Sequence, residues 1–146
     1  MQFSSKYEYT LLALLEMTRA YPNGEFLHIR HIAEVQNIPS RYLEQILATL
    51  RNGGLIKSTR GSKGGYILTR EPTKITLLDA FNCIEGGAGI TNFADVSIQT
   101  SKDRKVIHSL YLEAYQAVNT ILKKYTLQDL YEQREKQNQA APMYYI

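Results

Sequence analysis

The sequence predicts a mainly α-helical fold that carries one small β-hairpin and, after it, one long helix. Three observations predict it. Before Gly53 the apolar residues recur at helical spacing and are interrupted twice, at Pro22-Asn23-Gly24 and at Asn37-Ile38-Pro39, so that stretch reads as three helices. Between Leu55 and Leu68 two short β-prone runs flank a glycine-rich segment, which is the pattern of a hairpin. Residues 101–125 form the longest periodic segment of the chain.

Taken in order, the first helix starts after Ser4 or Ser5, with Tyr7, Leu11, Leu14, Leu15 and Thr18 on one side, and Pro22-Asn23-Gly24 ends it. After a short Phe26-Leu27 segment, Ile29, Ile32, Ala33 and Gln36 outline a brief second helix. Ser40 is placed as N-cap of the third, because a serine hydroxyl accepts from a first-turn amide. In that third helix Leu43, Ile46, Leu47 and Leu50 follow i, i+3, i+4, i+7 spacing and must face the core. The opposite side then presents Arg41, Glu44, Gln45 and Ala48, with Thr49 beside them. Asn52-Gly53-Gly54 stops the helix, residues 55–59 read as a strand, and Tyr66-Ile67-Leu68 as its return. Arg60-Gly61-Ser62-Lys63-Gly64-Gly65 is the turn between them, its glycines permitting positive φ. Helix, turn, helix and hairpin in this order make a winged helix-turn-helix. Residues 75–84 predict another helix with Thr76 as its cap, and residues 85–99, rich in glycine and small side chains, a loop.

Asp103 near the start of the long segment and Lys123-Lys124 near its end suit the helix macrodipole. A helix over 101–125 would be roughly 36 Å long. Two apolar stripes run along it, Val106, Leu110, Ala114, Ala117 and Ile121, and beside them Ile107, Tyr111, Tyr115, Val118 and Leu122. That is wider than contact with one core requires. The expectation is a helix packed on its own domain by one face and on a second subunit by the other, with Val106, Ile107, Leu110, Tyr111, Ala114, Val118, Ile121 and Leu122 at the dimer interface. Deeper burial within one chain is the alternative, and the small preceding domain offers limited surface for it. A short helix over 126–136 closes the fold. The chain thus divides into a winged helix-turn-helix domain (1–86), a loop (87–100), a dimerisation helix with its closing helix (101–136) and a tail (137–146).

Composition excludes several classes of function. With 44% hydrophobic and 21% charged residues over 146 positions the chain is ordinary globular material, neither disordered nor fibrous. No stretch is long and apolar enough to span a bilayer and no signal-peptide pattern opens the chain, so a cytoplasmic protein without membrane contact is expected. The one cysteine, Cys83, allows no intrachain disulfide. Net charge is only +3, but residues 1–74 hold ten Lys or Arg against six Glu, and between Arg41 and Lys63 five basic residues face Glu44 alone. Arg41, Arg51, Lys57, Arg60 and Lys63 are therefore either a phosphate surface or a solvated face.

No catalytic pattern is present: there is no phosphate-binding glycine fingerprint before a helix, no HExxH and no nucleophile elbow, so an enzyme is not expected. His28, His31 and His108 lack metal-ligand spacing with Cys83 and read as surface histidines. The third helix, by contrast, has what groove reading requires, an apolar side that fixes it and a free side with hydrogen-bonding groups. Arg41 can reach phosphate or guanine, Gln45 can pair with adenine, and Glu44 can accept from a cytosine amino group. A carboxylate facing DNA is repelled by the backbone, so Glu44 suits base reading better than general affinity. Arg60 and Lys63 at the hairpin tip can enter or flank a minor groove.

The runs Ser4-Ser5-Lys6, Ile38-Pro39-Ser40-Arg41-Tyr42-Leu43-Glu44-Gln45-Ile46-Leu47, Leu50-Arg51-Asn52-Gly53-Gly54-Leu55-Ile56 and Arg60-Gly61-Ser62-Lys63-Gly64-Gly65-Tyr66 together resemble the Rrf2 family of winged-helix transcription regulators. The strong resemblance covers residues 1 to about 86. Beyond it, a long helix followed by Tyr125-Thr126-Leu127-Gln128-Asp129-Leu130 is similar to the family's dimerisation helix and closing segment. The resemblance implies a homodimeric regulator, usually a repressor, on a pseudo-palindromic operator in double-stranded DNA. By position Ser40, Arg41, Tyr42, Glu44 and Gln45 would face the major groove, with Thr49, Arg51 and Lys57 alongside and Arg60, Ser62, Lys63 and Gly64 in the wing. Many family members hold an iron-sulfur cluster on three cysteines, sometimes with a histidine. Here the three cysteine positions fall at Phe93, Gln99 and Lys105, the histidine position at His108, and Glu8 matches a carboxylate ligand of some members. No cofactor and no metal are therefore expected. Two other functions compete with DNA binding: a redox or iron-sulfur sensor using Cys83, Glu8 and His108, and a winged helix that binds protein. Cys83 itself sits in an apolar helix, where a lone cysteine usually packs as a small hydrophobe.

Overall fold

The computed structural model describes residues 4–86 and 101–140. Six α-helices and one two-stranded antiparallel sheet lie within them: α1 Ser5–Ala20, α2 Ile29–Gln36, α3 Ser40–Asn52, β1 Ile56–Thr59, β2 Gly65–Leu68, α4 Leu77–Glu85, α5 Lys102–Lys124 and α6 Leu127–Ala140. This is the expected winged helix-turn-helix with a long following helix. The expected loop over 87–100, with Phe93 and Gln99, lies outside the described residues, as do 141–146 of the expected tail.

Local chemistry sets the boundaries. The Ser4 side chain accepts from the Tyr7 amide at 3.2 Å and starts α1, and a turn of 3-10 helix over Tyr21–Asn23 with Gly24 at φ 62° ends it. Asn37, in the left-handed region at φ 53°, closes α2. The cap of α3 is Pro39 rather than Ser40, because the Pro39 carbonyl already accepts the Leu43 amide and Ser40 becomes the first helical residue. β1 begins at Ile56 rather than at residue 55, since the Leu55 amide is used on the Leu50 carbonyl to finish α3. The hairpin pairs Ile56 with Leu68 and Thr59 with Gly65.

α4 begins at Leu77 rather than at residue 75, where Thr76 and Asp79 form a reciprocal capping box, side chain to backbone in both directions at 3.0 and 2.9 Å. Thr126 and Asp129 repeat that box at the start of α6, at 2.9 and 3.1 Å. The segments entering these helices pair across an isolated bridge, Thr76 with Thr126, in which Leu77 donates to the Tyr125 carbonyl and Leu127 to the Ile75 carbonyl, both at 2.9 Å. The C-terminal helix is thereby tied to the N-terminal unit. It also continues to Ala140, past the expected end at 136, because Gln137, Asn138, Gln139 and Ala140 contain no helix breaker.

One core holds the described residues together. α1 lies at its centre, against α2, α3, α4, α6 and β2. Leu14, Met17, Ile32, Leu43, Ile46, Leu47, Leu50, Ile56, Leu68, Ile75 and Leu127 are fully buried, so the predicted inner side of α3 is the observed one and α6 contributes to the same core. Glu16 is the charged residue buried beside it. α5 differs from every other helix: it packs on α4 and leaves most of its length uncovered.

Candidate nucleic-acid interface

The core fixes α3 by Leu43, Ile46, Leu47 and Leu50, and this fixation turns Ser40, Arg41, Glu44 and Gln45 outward, all exposed. Ala48 and Thr49 on the same side are half-buried, and the Thr49 hydroxyl is spent on the Gln45 carbonyl at 2.9 Å, so of the expected contacts on α3 Thr49 presents least. Tyr42 is 40% exposed and its ring stands edge-on to Tyr9 of α1, centroids 5.6 Å apart. It braces α3 on α1 and offers a groove only part of its surface. Arg51, Lys57, Arg60, Ser62 and Lys63 are exposed, and among the described residues none of the basic side chains Arg41, Arg51, Lys57, Arg60 and Lys63 is in an ion pair.

Gly64, expected among the contact residues, is buried. A Cβ on it would sit 2.3 Å from the Thr59 carbonyl oxygen and 2.8 Å from the Arg60 carbonyl carbon, while its amide donates to the Gly61 carbonyl at 3.0 Å. Gly64 therefore closes the wing turn from within. Gly65 holds the wing to the domain: at φ 135° it passes so close to Leu27 that a Cβ would lie 2.4 Å from the Leu27 carbonyl oxygen. Next to it Leu27 and Tyr66 exchange backbone hydrogen bonds at 2.9 and 2.8 Å, which adds Leu27 to the sheet as a third, one-residue edge.

His28, the residue after Leu27, reaches the wing as well. Its Nε2 lies 3.2 Å from the Ser62 carbonyl oxygen. His28, Arg30 and His31 are exposed and line one cleft with Ile29 and Glu34. Periodicity could not find this contact, since the two residues are far apart in sequence and no side-chain type announces a bond to a main-chain carbonyl.

On α5 the expected partner-facing stripe is uncovered. Val106 is 71% exposed and Leu110 63%, with Ile107, Tyr111, Ala114 and Ile121 also exposed. Leu122, expected among them, is only 7% exposed and packs inside its own chain, and Val118 is half-covered, so these two lie on the inner side of the helix.

The residues that could bind iron do not fit a cysteine-ligated cluster. Cys83 is half-buried against α3, its Sγ 3.5 Å from the Thr49 carbonyl oxygen, and burial pushes its thiol pKa up, which disfavours the thiolate a metal requires. A Cβ on Gly53 would come within 2.3 Å of that sulfur, so the thiol fills the space that the glycine leaves. Lys105 and Glu8 are exposed and His108 is half-buried, which corrects its reading as a surface histidine. Among the described residues no three His, Cys, Asp or Glu side chains gather as a metal site. No helix among them is long and apolar enough to cross a membrane.

Known proteins resemble this arrangement throughout its length. The model of the Rrf2 family, described as "Iron-dependent Transcriptional regulator", matches residues 3–133. The chain is 32% identical to the HTH-type transcriptional regulator CymR of Bacillus subtilis over the whole of both chains. It is 27% identical to the HTH-type transcriptional regulator IscR of Xenorhabdus nematophila, over 92% of this chain and 82% of that one. Among solved structures, IscR of T. potens superposes with a TM-score of 0.77 at 30% identity, covering 94% of this chain and 90% of its own. CymR, the global cysteine regulator of B. subtilis, superposes with a TM-score of 0.74 at 31% identity, covering 90% and 97%. With a winged helix-turn-helix that presents an exposed basic face and a family model matched from residue 3 to 133, the chain belongs to the Rrf2 family of transcriptional regulators.

Proposed function

We propose that this chain acts as a homodimeric repressor on a two-fold operator, with α3 of each protomer in a major groove and its wing in the flanking minor groove. The observation that carries this reading is the division of α3: a fully buried apolar side against an exposed side holding Arg41, Glu44 and Gln45, next to a wing whose Arg60 and Lys63 have no ion-pair partner among the described residues. Phosphate contacts supply affinity and base-edge contacts supply selectivity, and the two sets fall on different residues here. Arg60, Lys63, Arg51 and Lys57 supply charge to the backbone, while Glu44 and Gln45 read bases. The apolar face of α5 pairs with its copy and sets the spacing of the two half-sites. Iron is not required for folding or for DNA binding, because each protomer brings one hindered thiol and no second one.

Substitution separates the two roles. Arg60→Ala weakens binding to selected and unrelated duplexes alike, whereas Glu44→Ala changes which sequences are bound and leaves overall affinity nearly as it was. Loss of the Gln45 contact costs about 1–3 kcal/mol against its preferred base. A Glu44→Ala variant that ranks a random duplex library in the wild-type order would overturn its assignment to base reading.

A further inference from the structure

His28 occupies the junction between the helix-turn-helix and the wing. Leu27, immediately before it, is bridged to Tyr66, and the imidazole Nε2 faces the Ser62 carbonyl oxygen at 3.2 Å inside the wing turn. A carbonyl oxygen only accepts, so the ring nitrogen must carry the proton, as the neutral Nε2–H tautomer or as the imidazolium. Among the described residues this is the one side-chain hydrogen bond that reaches the turn from outside the hairpin. The turn itself is exposed at Arg60, Gly61, Ser62 and Lys63 and has no apolar anchor of its own.

The charged groups around the junction are mostly cationic. The wing brings Arg60 and Lys63, α2 brings Arg30 and His31, and the carboxylates are Glu34, in the same cleft, and Glu25, upstream of Leu27. A ring N–H donor makes this bond, so the turn is held at the edge of a basic surface of the kind that meets phosphates.

We propose that His28 is a wing-positioning residue whose imidazole, by donating to the Ser62 carbonyl, holds the wing in place for DNA. The proposal rests on the DNA-binding reading above. Its test uses the full-length protein and a duplex recovered by selection from a random library, with binding titrated at fixed salt and pH for wild type, His28→Ala, His28→Gln and His31→Gln. Amide hydrogen exchange over residues 61–64 is followed in the free protein. His28→Ala is expected to bind about fivefold more weakly per half-site, the worth of one modest hydrogen bond, and to exchange its wing amides faster. His28→Gln keeps a side-chain donor and restores affinity and wing exchange to within about twofold of wild type, and His31→Gln binds like wild type. A His28→Gln variant as impaired as His28→Ala, or wild-type affinity and wing exchange in His28→Ala, overturns the inference while leaving DNA binding intact. A wild type that selects no duplex overturns the DNA-binding reading instead.

Discussion

Glu16 is the charge on which three helices converge, and its removal is a quantitative test of how α6 is held. The side chain is 5% exposed and accepts from Gln36 of α2 at 2.7 Å, from Arg134 of α6 at 3.1 Å and from Arg19 of its own helix at 3.4 Å. The two cations are unequal. Arg134 is 25% exposed, with its guanidinium also stacked 5.1 Å from the Tyr131 ring centre, and spans two helices; Arg19 is 38% exposed and reaches only one turn along. Removing one partner of a buried pair costs about 3–5 kcal/mol when the other is stranded without water. Arg134→Gln leaves the carboxylate with Gln36 and Arg19, so the lower end, about 3 kcal/mol, applies. Arg19→Gln removes a long contact from a half-exposed cation and costs under about 1 kcal/mol. Glu16→Gln keeps the volume and an acceptor and leaves two guanidiniums that still reach solvent, which places it between them at about 2 kcal/mol. Urea unfolding of the three variants at one protein concentration measures this order. Equal losses for Arg134→Gln and Arg19→Gln would refute the assignment of Arg134 as the tie between α6 and the DNA-binding unit. So would a Glu16→Gln/Arg134→Gln double variant whose loss is the plain sum of the two.

Two further outcomes follow from the backbone and from one buried phenol. Gly65→Ala should cost about 2–3 kcal/mol, because the added Cβ meets the Leu27 backbone and φ is 135°, whereas Gly24→Ala at φ 62°, with nothing within 4 Å, should cost about 1 kcal/mol. Equal melting shifts would contradict this contrast. Tyr7 donates to the Leu77 carbonyl at 2.9 Å, and burial pushes its phenol pKa up to about 12. Since folding favours the neutral phenol, its contribution to stability is complete below about pH 10, where the unfolded side chain titrates, and is lost as the pH climbs toward about 12. Of the eleven tyrosines, one late-ionising component should vanish from the ultraviolet titration of Tyr7→Phe; its persistence would assign the shift to another ring.

Most of the fold was legible because its signals are local. The i, i+3, i+4, i+7 row in α3 and the glycine-rich turn each require only neighbours in sequence, and both elements lie where they were expected. Boundaries moved where a backbone group had a tertiary use. Leu55 left the strand to finish α3, and Ile75 left the helix to pair with Leu127. The exposed face of α3 was legible for the same reason that its core face was, since each is the complement of the other. Contacts between distant residues were not: Arg134 finds Glu16 across 118 positions, and Gly64, expected as a contact, is buried by the turn it makes possible. Leu122 shows the limit of a stripe. Helical periodicity places it beside Val118 and Ile121, but only tertiary packing decides that it turns inward.

The most direct test of α3 and the wing as a two-fold DNA reader is selection from a random-sequence duplex library, followed by titration of the winning duplex at stepped salt. The expected result is an inverted repeat with half-site centres about 34 Å apart or a multiple of it, bound by two protomers. Affinity should fall steeply as salt rises, and Lys63→Ala should lower the slope of log affinity against log salt by about one. No enriched sequence, or an asymmetric one bound by a single protomer with a shallow salt response, would contradict it.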